Sequence, residues 1–161
     1  ARLMTVTVRP GKPNGAASSF FSGIIREPLA GVESICPVDA SVSHPVSSPG
    51  TTIRSLIAVF EASQATLGNR LALNLPGLNV TVQQMLDALE KVGGKAVRNR
   101  VRFERDERIA GIVGNWARGA TSERANALGL HADSSFESII EQYIDDCKNQ
   151  PGYPAQALAG L

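Results

Sequence analysis

The stretch of the chain best equipped for chemistry is Arg9-Pro-Gly-Lys-Pro-Asn-Gly15 running into Ala16-Ala-Ser-Ser-Phe-Phe21. It concentrates two cations, a side-chain amide, two hydroxyls and exposed backbone N–H groups. Such a set suits an anion. Lys12 can meet a carboxylate or a phosphate, and Ser18 and Ser19 can donate to substrate hydroxyls. The competing reading is a surface turn built from turn-forming residues, with the serines acting as N-caps of a following helix.

Other chemistries find less support. No GxGxxG follows a strand and no GxxxxGK[ST] occurs, so the chain has no self-evident phosphate cradle. Cys36 and Cys147 stand far apart, and His44 and His131 are the only histidines, so no metal site of zinc type is expected. Serines, histidines and aspartates are present, but no GxSxG elbow argues for a nucleophilic triad. Asp145-Asp146 reads as the solvated end of a helix. His44, beside Pro45, could reach a site but is weighed as structural or exposed; Arg54 is read as a surface cation and Trp116 as packing.

The reactive stretch needs a strand to carry it. Met4-Thr-Val-Thr-Val8 alternates apolar residues and is stopped by Arg9-Pro10-Gly11, which predicts a strand whose carboxyl end opens into the loop. In an open α/β sheet ligands gather at such ends when the strand is parallel. Little else in the chain looks able to build a sheet around this strand, so its partners are expected to lie elsewhere.

Beyond the loop, Phe20, Ile24 and Ile25 share a helical face from Ala16 until Pro28 stops it. Ser34–Val38 and Ser41–Val46 read as extended segments. Ser48 as N-cap and Pro49 open a helix with Ile53, Leu56, Ile57 and Phe60 at helical spacing, ending at Gly68. Arg70–Leu75 alternates as a strand. Thr81-x-x-Gln84 is a capping box for a helix carrying Val82, Met85, Leu86, Leu89 and Val92. Val101 and Phe103 suggest a strand, Thr121 opens a short helix to Gly129, and Ser134-x-x-Glu137 caps a last helix through Phe136, Ile139, Ile140, Tyr143 and Ile144. The order of elements is an α/β pattern. Residues 149–161 read as a tail.

With 161 residues, 43% hydrophobic, the chain can build one ordinary core. A net charge of +1 gives no field toward nucleic acid or an anionic membrane, and no apolar run reaches the ~20 residues of a bilayer helix. A reduced, cytoplasmic setting is expected. The chain starts at Ala1, which reads as the interior of a longer polypeptide.

Val6-Thr-Val-Arg-Pro-Gly11, the loop and helix after it, the proline-broken strands, the helix from Pro49, Leu73-Asn-Leu-Pro-Gly77 with Val80-Thr-Val82, and Ala125-Asn-Ala-Leu-Gly-Leu130 occur in one order. That order resembles the C-terminal half of extended short-chain dehydrogenases/reductases over about residues 2–147, and within them the D-erythronate dehydrogenase branch. The resemblance implies the C-terminal portion of a Rossmann-type fold with its small mixed α/β substrate-binding subdomain, over residues 1–148.

It also implies a task. Arg9, Pro10, Gly11 and Lys12 should lie against the nicotinamide end of NAD, or of NADP, while Asn14, Ser18, Ser19 and Arg26 should border a small sugar-acid substrate oxidised from CH–OH to C=O. The family's dinucleotide loop and Tyr-x-x-x-Lys pair would precede Met4. Neither Tyr143 nor Tyr153 has a lysine four residues on, since Cys147 and Ala157 stand there, so no catalytic residue is expected in the chain. The missing N-terminal Rossmann half is the implied partner, and a homodimer the implied assembly of the whole enzyme. Two alternatives stay open: a nucleotide-sugar epimerase or dehydratase on the same scaffold, and a binding module without catalysis.

Overall fold

The computed structural model describes residues 1–68 and 72–161. Strand β1 covers Thr5–Val6 and pairs in parallel with β3, Ser43–Ser47, in the register Thr5↔Val46; a bond from Thr7 N–H to the Ser47 carbonyl at 3.0 Å continues the pairing. β4, Leu78–Thr81, runs antiparallel on the other side of β3. A second, two-stranded parallel sheet joins β2, Ser34–Cys36, to β5, Val101–Phe103. The first strand therefore finds a partner inside the chain, contrary to the expectation from sequence. Its neighbour lies largely in the stretch Ser41–Val46 that reads as extended from sequence, and it takes Pro45 opposite Asn79 of β4.

Three helices make the main core. α1, Ser19–Leu29, buries Phe21, Ile24, Ile25 and Leu29; α4, Val82–Gly93, buries Met85, Leu86 and Leu89; α8, Phe136–Asn149, buries Ile139 and Ile140. Full burial of each such side chain stabilises by about 1.5–3 kcal/mol, before the entropy cost of ordering it. α4 starts where its sequence says it should. The Thr81 hydroxyl accepts from Gln84 N–H and the Gln84 side chain accepts from Thr81 N–H, so both orphan donors are satisfied. Gly94, at φ +85°, ends it.

Several boundaries differ from the sequence reading. α1 begins at Ser19 and runs through Pro28 to Leu29, because a proline in the last turn forfeits little of the ladder. α2, Pro49–Glu61, stops at Ala62, and Ser63 caps a separate turn, α3, Gln64–Leu67. The short helices α5, Lys95–Arg98, and α6, Glu107–Gly114, the latter capped by Asp106, are additions to the sequence reading. α7 is Glu123–Ala127. α8 is capped by Ser135, whose hydroxyl accepts from Ser138 N–H, one residue later than the Ser134 motif suggests. The strand expected over Arg70–Leu75 falls partly outside the described residues; of the rest, Asn74 forms a parallel bridge with Arg2.

Residues 150–161 fold back on this core. Gly160 N–H donates to the Leu29 carbonyl at 2.8 Å, and the Arg100 guanidinium donates to the carbonyls of both Pro28 and Gly160. Among the described residues no helix is long and apolar enough to cross a membrane.

Candidate functional site

β1 is parallel to its neighbour, so the loop from Arg9 to Asn14 leaves from the carboxyl end of a parallel strand. α1 holds that loop with one side of its surface. The Ser19 hydroxyl accepts from Asn14 N–H at 3.2 Å, and the Ser22 hydroxyl accepts from Arg9 N–H at 3.1 Å while donating to Thr7 Oγ1. Arg26 Nη1 donates to the Arg9 carbonyl at 2.8 Å. Positions 19, 22 and 26 follow i, i+3 and i+7, the spacing of a single helical face. Ser22 was not singled out from sequence, although its place between Ser19 and Arg26 on that face was there to be seen.

With both ends of the loop strapped by backbone bonds, its side chains are left outward. Pro10, Gly11, Lys12 and Asn14 are exposed, and Arg9 is half-buried. Asn14 Oδ1 accepts from Ala16 N–H at 3.0 Å, fixing the turn into the helix. Ser18 occupies the N-cap position but caps no backbone N–H with its hydroxyl.

The start of α1 divides two open pockets. Ser18 lines one of about 680 Å³, with Thr5, His44 and Trp116. Asn14 and Ser19 line the other, of about 610 Å³, with Phe20, Gly23 and Glu27 on the same wall. The four residues expected at the substrate are thus split: Ser18 faces one opening, Asn14 and Ser19 the other, and Arg26 is buried behind the loop as its clamp.

His44 is the residue the sequence undervalued. Its Nε2 shares a 2.7 Å hydrogen bond with Thr5 Oγ1; its ring stacks on Phe21 at 4.9 Å and lies 5.3 Å from Trp116. Trp116, read as packing, does pack here, but against the wall of a pocket. Burial pushes the His44 imidazole below its ordinary value, and the Ala117 backbone opposes the effect. The unfolded chain therefore takes up the proton first as pH falls. Stability should be complete above the unfolded value near 6.5 and decline below it, until the folded form also protonates. Melting temperatures between pH 7.5 and 5 should fall more steeply for the native chain than for His44→Gln; parallel curves would refute a buried neutral imidazole.

No family model matches the chain. Two curated relatives named D-erythronate dehydrogenase, from Cupriavidus necator and Haemophilus influenzae, are 49% and 43% identical over 145 and 144 residues, covering 90% and 89% of this chain and 45% and 46% of their own length. A solved structure named nucleoside-diphosphate-sugar epimerase, from Agrobacterium tumefaciens, superposes with a TM-score of 0.87 at 43% identity, over 90% of this chain and 42% of that one. In sequence the chain is similar to part of dehydrogenases and epimerases of this kind. Its fold is that of the C-terminal part of such proteins. The L-threonine 3-dehydrogenase of Trypanosoma brucei shares it at a TM-score of 0.80 and 18% identity, over 95% of this chain and 47% of that one. The chain spans about half the length of the curated relatives it matches.

Proposed function

We propose that the chain is the substrate-binding part of an NAD-dependent oxidoreductase that oxidises a small sugar acid of the D-erythronate type. The observation that carries this reading is the 49% identity over 145 residues, 90% of this chain, to a protein named D-erythronate dehydrogenase. NAD, when bound by the intact protein, accepts the hydride. The residues present fit a bordering role. Arg9 and Asn14 N–H groups are already taken by Ser22 and Ser19, so Arg9–Lys12 would meet the nicotinamide end and the substrate carboxylate through side chains, chiefly the exposed Lys12. Ser18, Asn14 and Ser19 would orient substrate hydroxyls, and Arg26 would keep the loop in place. With neither a Gly-rich phosphate loop nor a Tyr-x-x-x-Lys pair in this sequence, proton abstraction would fall to residues of the remaining polypeptide.

The test is NAD reduction by the intact polypeptide across a panel of four-carbon aldonic acids. Turnover of at least one is expected, and absence of turnover with all of them would end the assignment. In the active enzyme, Lys12→Ala should raise KM for the acid about tenfold, the worth of about 1.4 kcal/mol, with kcat changed less. An unchanged KM would remove Lys12 from the site. Nucleotide-sugar epimerisation is the second reading, favoured by the name of the 43%-identical Agrobacterium structure. Turnover of sugar nucleotides in place of the acids would select it.

A further inference from the structure

Asn14 is the only asparagine of the chain followed by a glycine, and both residues lie exposed on the strand-end loop. The Asn14 backbone is held, because its N–H donates to the Ser19 hydroxyl. Its side chain is folded forward along the chain: Oδ1 accepts from Ala16 N–H at 3.0 Å, two residues on. A bond of this kind curls the side-chain amide back over the intervening peptide, and so brings the amide carbon beside the Gly15 nitrogen. Gly15 N–H has no hydrogen-bond partner among the described residues. A Cβ built on Gly15 would meet nothing within 4 Å. The nitrogen is therefore neither tied down nor crowded.

We infer that Asn14–Gly15 is a self-modifying site, at which the neutral amide of Asn14 is converted into a carboxylate. The Gly15 nitrogen attacks Asn14 Cγ and a new C–N bond closes an imide ring. The bond from Cγ to Nδ2 breaks, and ammonia leaves with the proton that the Gly15 nitrogen gives up. Water then opens the ring at either carbonyl, which yields aspartate from one opening and isoaspartate from the other. Water is the only co-reactant, and nothing is oxidised or reduced. The attack builds negative charge on Oδ1, and Ala16 N–H already points at that atom from the distance of an oxyanion donor. The product places a carboxylate two residues from Lys12 on the same exposed loop. Its effect rests on the reading of this loop as the border of an acid substrate: the new charge repels the substrate carboxylate and counters Lys12, so affinity for the acid falls as the protein ages.

Mass-spectrometric peptide mapping of the intact, folded polypeptide after incubation at mildly alkaline pH tests the site. Asn14 should become the acid about tenfold faster than the other asparagines of the chain, and within about threefold of its rate in a free peptide of residues 9–20. A rate no higher than that of the other asparagines would overturn the inference. So would a larger slowing against the peptide, because the loop would then hold the reacting atoms apart. Isoaspartate should appear beside aspartate; aspartate alone would mean direct hydrolysis and rule out the ring. Gly15→Ala should slow conversion about tenfold, since a Cβ crowds the attacking nitrogen. The fold accepts this change, as Gly15 has no positive φ and space around it, so an unchanged rate would again overturn the inference. In the active enzyme Asn14→Asp should raise KM for the acid about fivefold, and an unchanged KM would refute the effect on substrate. Conversion of Asn14 in a protein that reduces no NAD would sink the functional reading and leave the modification standing; an active enzyme in which Asn14 persists would sink the modification alone.

Discussion

Asp133→Ala is expected to lower stability by about 3–5 kcal/mol, roughly twice the ~1.5–3 kcal/mol of one hydrogen bond to a charged group. Its carboxylate accepts from Ser48 N–H at 2.9 Å, from the Ser48 hydroxyl at 2.7 Å and from the Thr51 hydroxyl at 2.7 Å. Ser48 and Thr51 are buried, so removal of the carboxylate leaves three donors without an acceptor and with little access to water. The Ser48 hydroxyl still accepts from Thr51 N–H, so the helix keeps its N-cap while losing its tie to the loop before α8. For a chain of this size the melting temperature should drop by roughly 10 °C. Asp133→Asn retains an acceptor and should lose less than half as much. Equal losses in the two variants would show that shape, and not the acceptor, holds the junction.

Arg26→Met should be comparably severe and should act on the loop as well. The guanidinium is buried; it donates to the Arg9 carbonyl at 2.8 Å, and its Nη2 lies 2.5 Å from Glu27 Oε1. The other Glu27 oxygen is buried and has no hydrogen-bond partner among the described residues. Methionine would preserve the apolar stem but strand the carboxylate in a place with little solvent, and breaking a buried pair from one side costs about 3–5 kcal/mol. Arg26→Met with Glu27→Gln removes the stranded charge and should recover part of that loss in chemical denaturation. The loop should not recover, since the Arg9 carbonyl has still lost its donor: hydrogen exchange or proteolysis at residues 9–12 should be faster in both variants than in the native protein. A double variant no more stable than the single one would refute the charge argument, and an unchanged loop would refute the clamp.

The parts of this protein settled by its sequence are those decided within one or two turns of chain. The Thr81–Gln84 box, the apolar spacing of α4 and α8 and the N-cap at Ser48 needed only local geometry, and each formed as its residues dictate. The strand-end loop was legible for the same reason, because Pro10 and Gly11 end a strand wherever it lies. Long-range pairing decided the rest. β1 met β3 across an intervening helix, His44 became the wall of a pocket by reaching Thr5 and Phe21, and Asp133 tied down a helix 85 residues earlier. Periodicity also marked the apolar side of α2 correctly but could not say what it faces: hydrophobic spacing reports that a side chain will be covered, whereas the identity of the cover depends on the elements brought beside it in space. For α2 the polar side won the interior of this chain through Ser47, Ser48 and Asp133, and its apolar side stands exposed, an outcome set by long-range bonds that periodicity does not report.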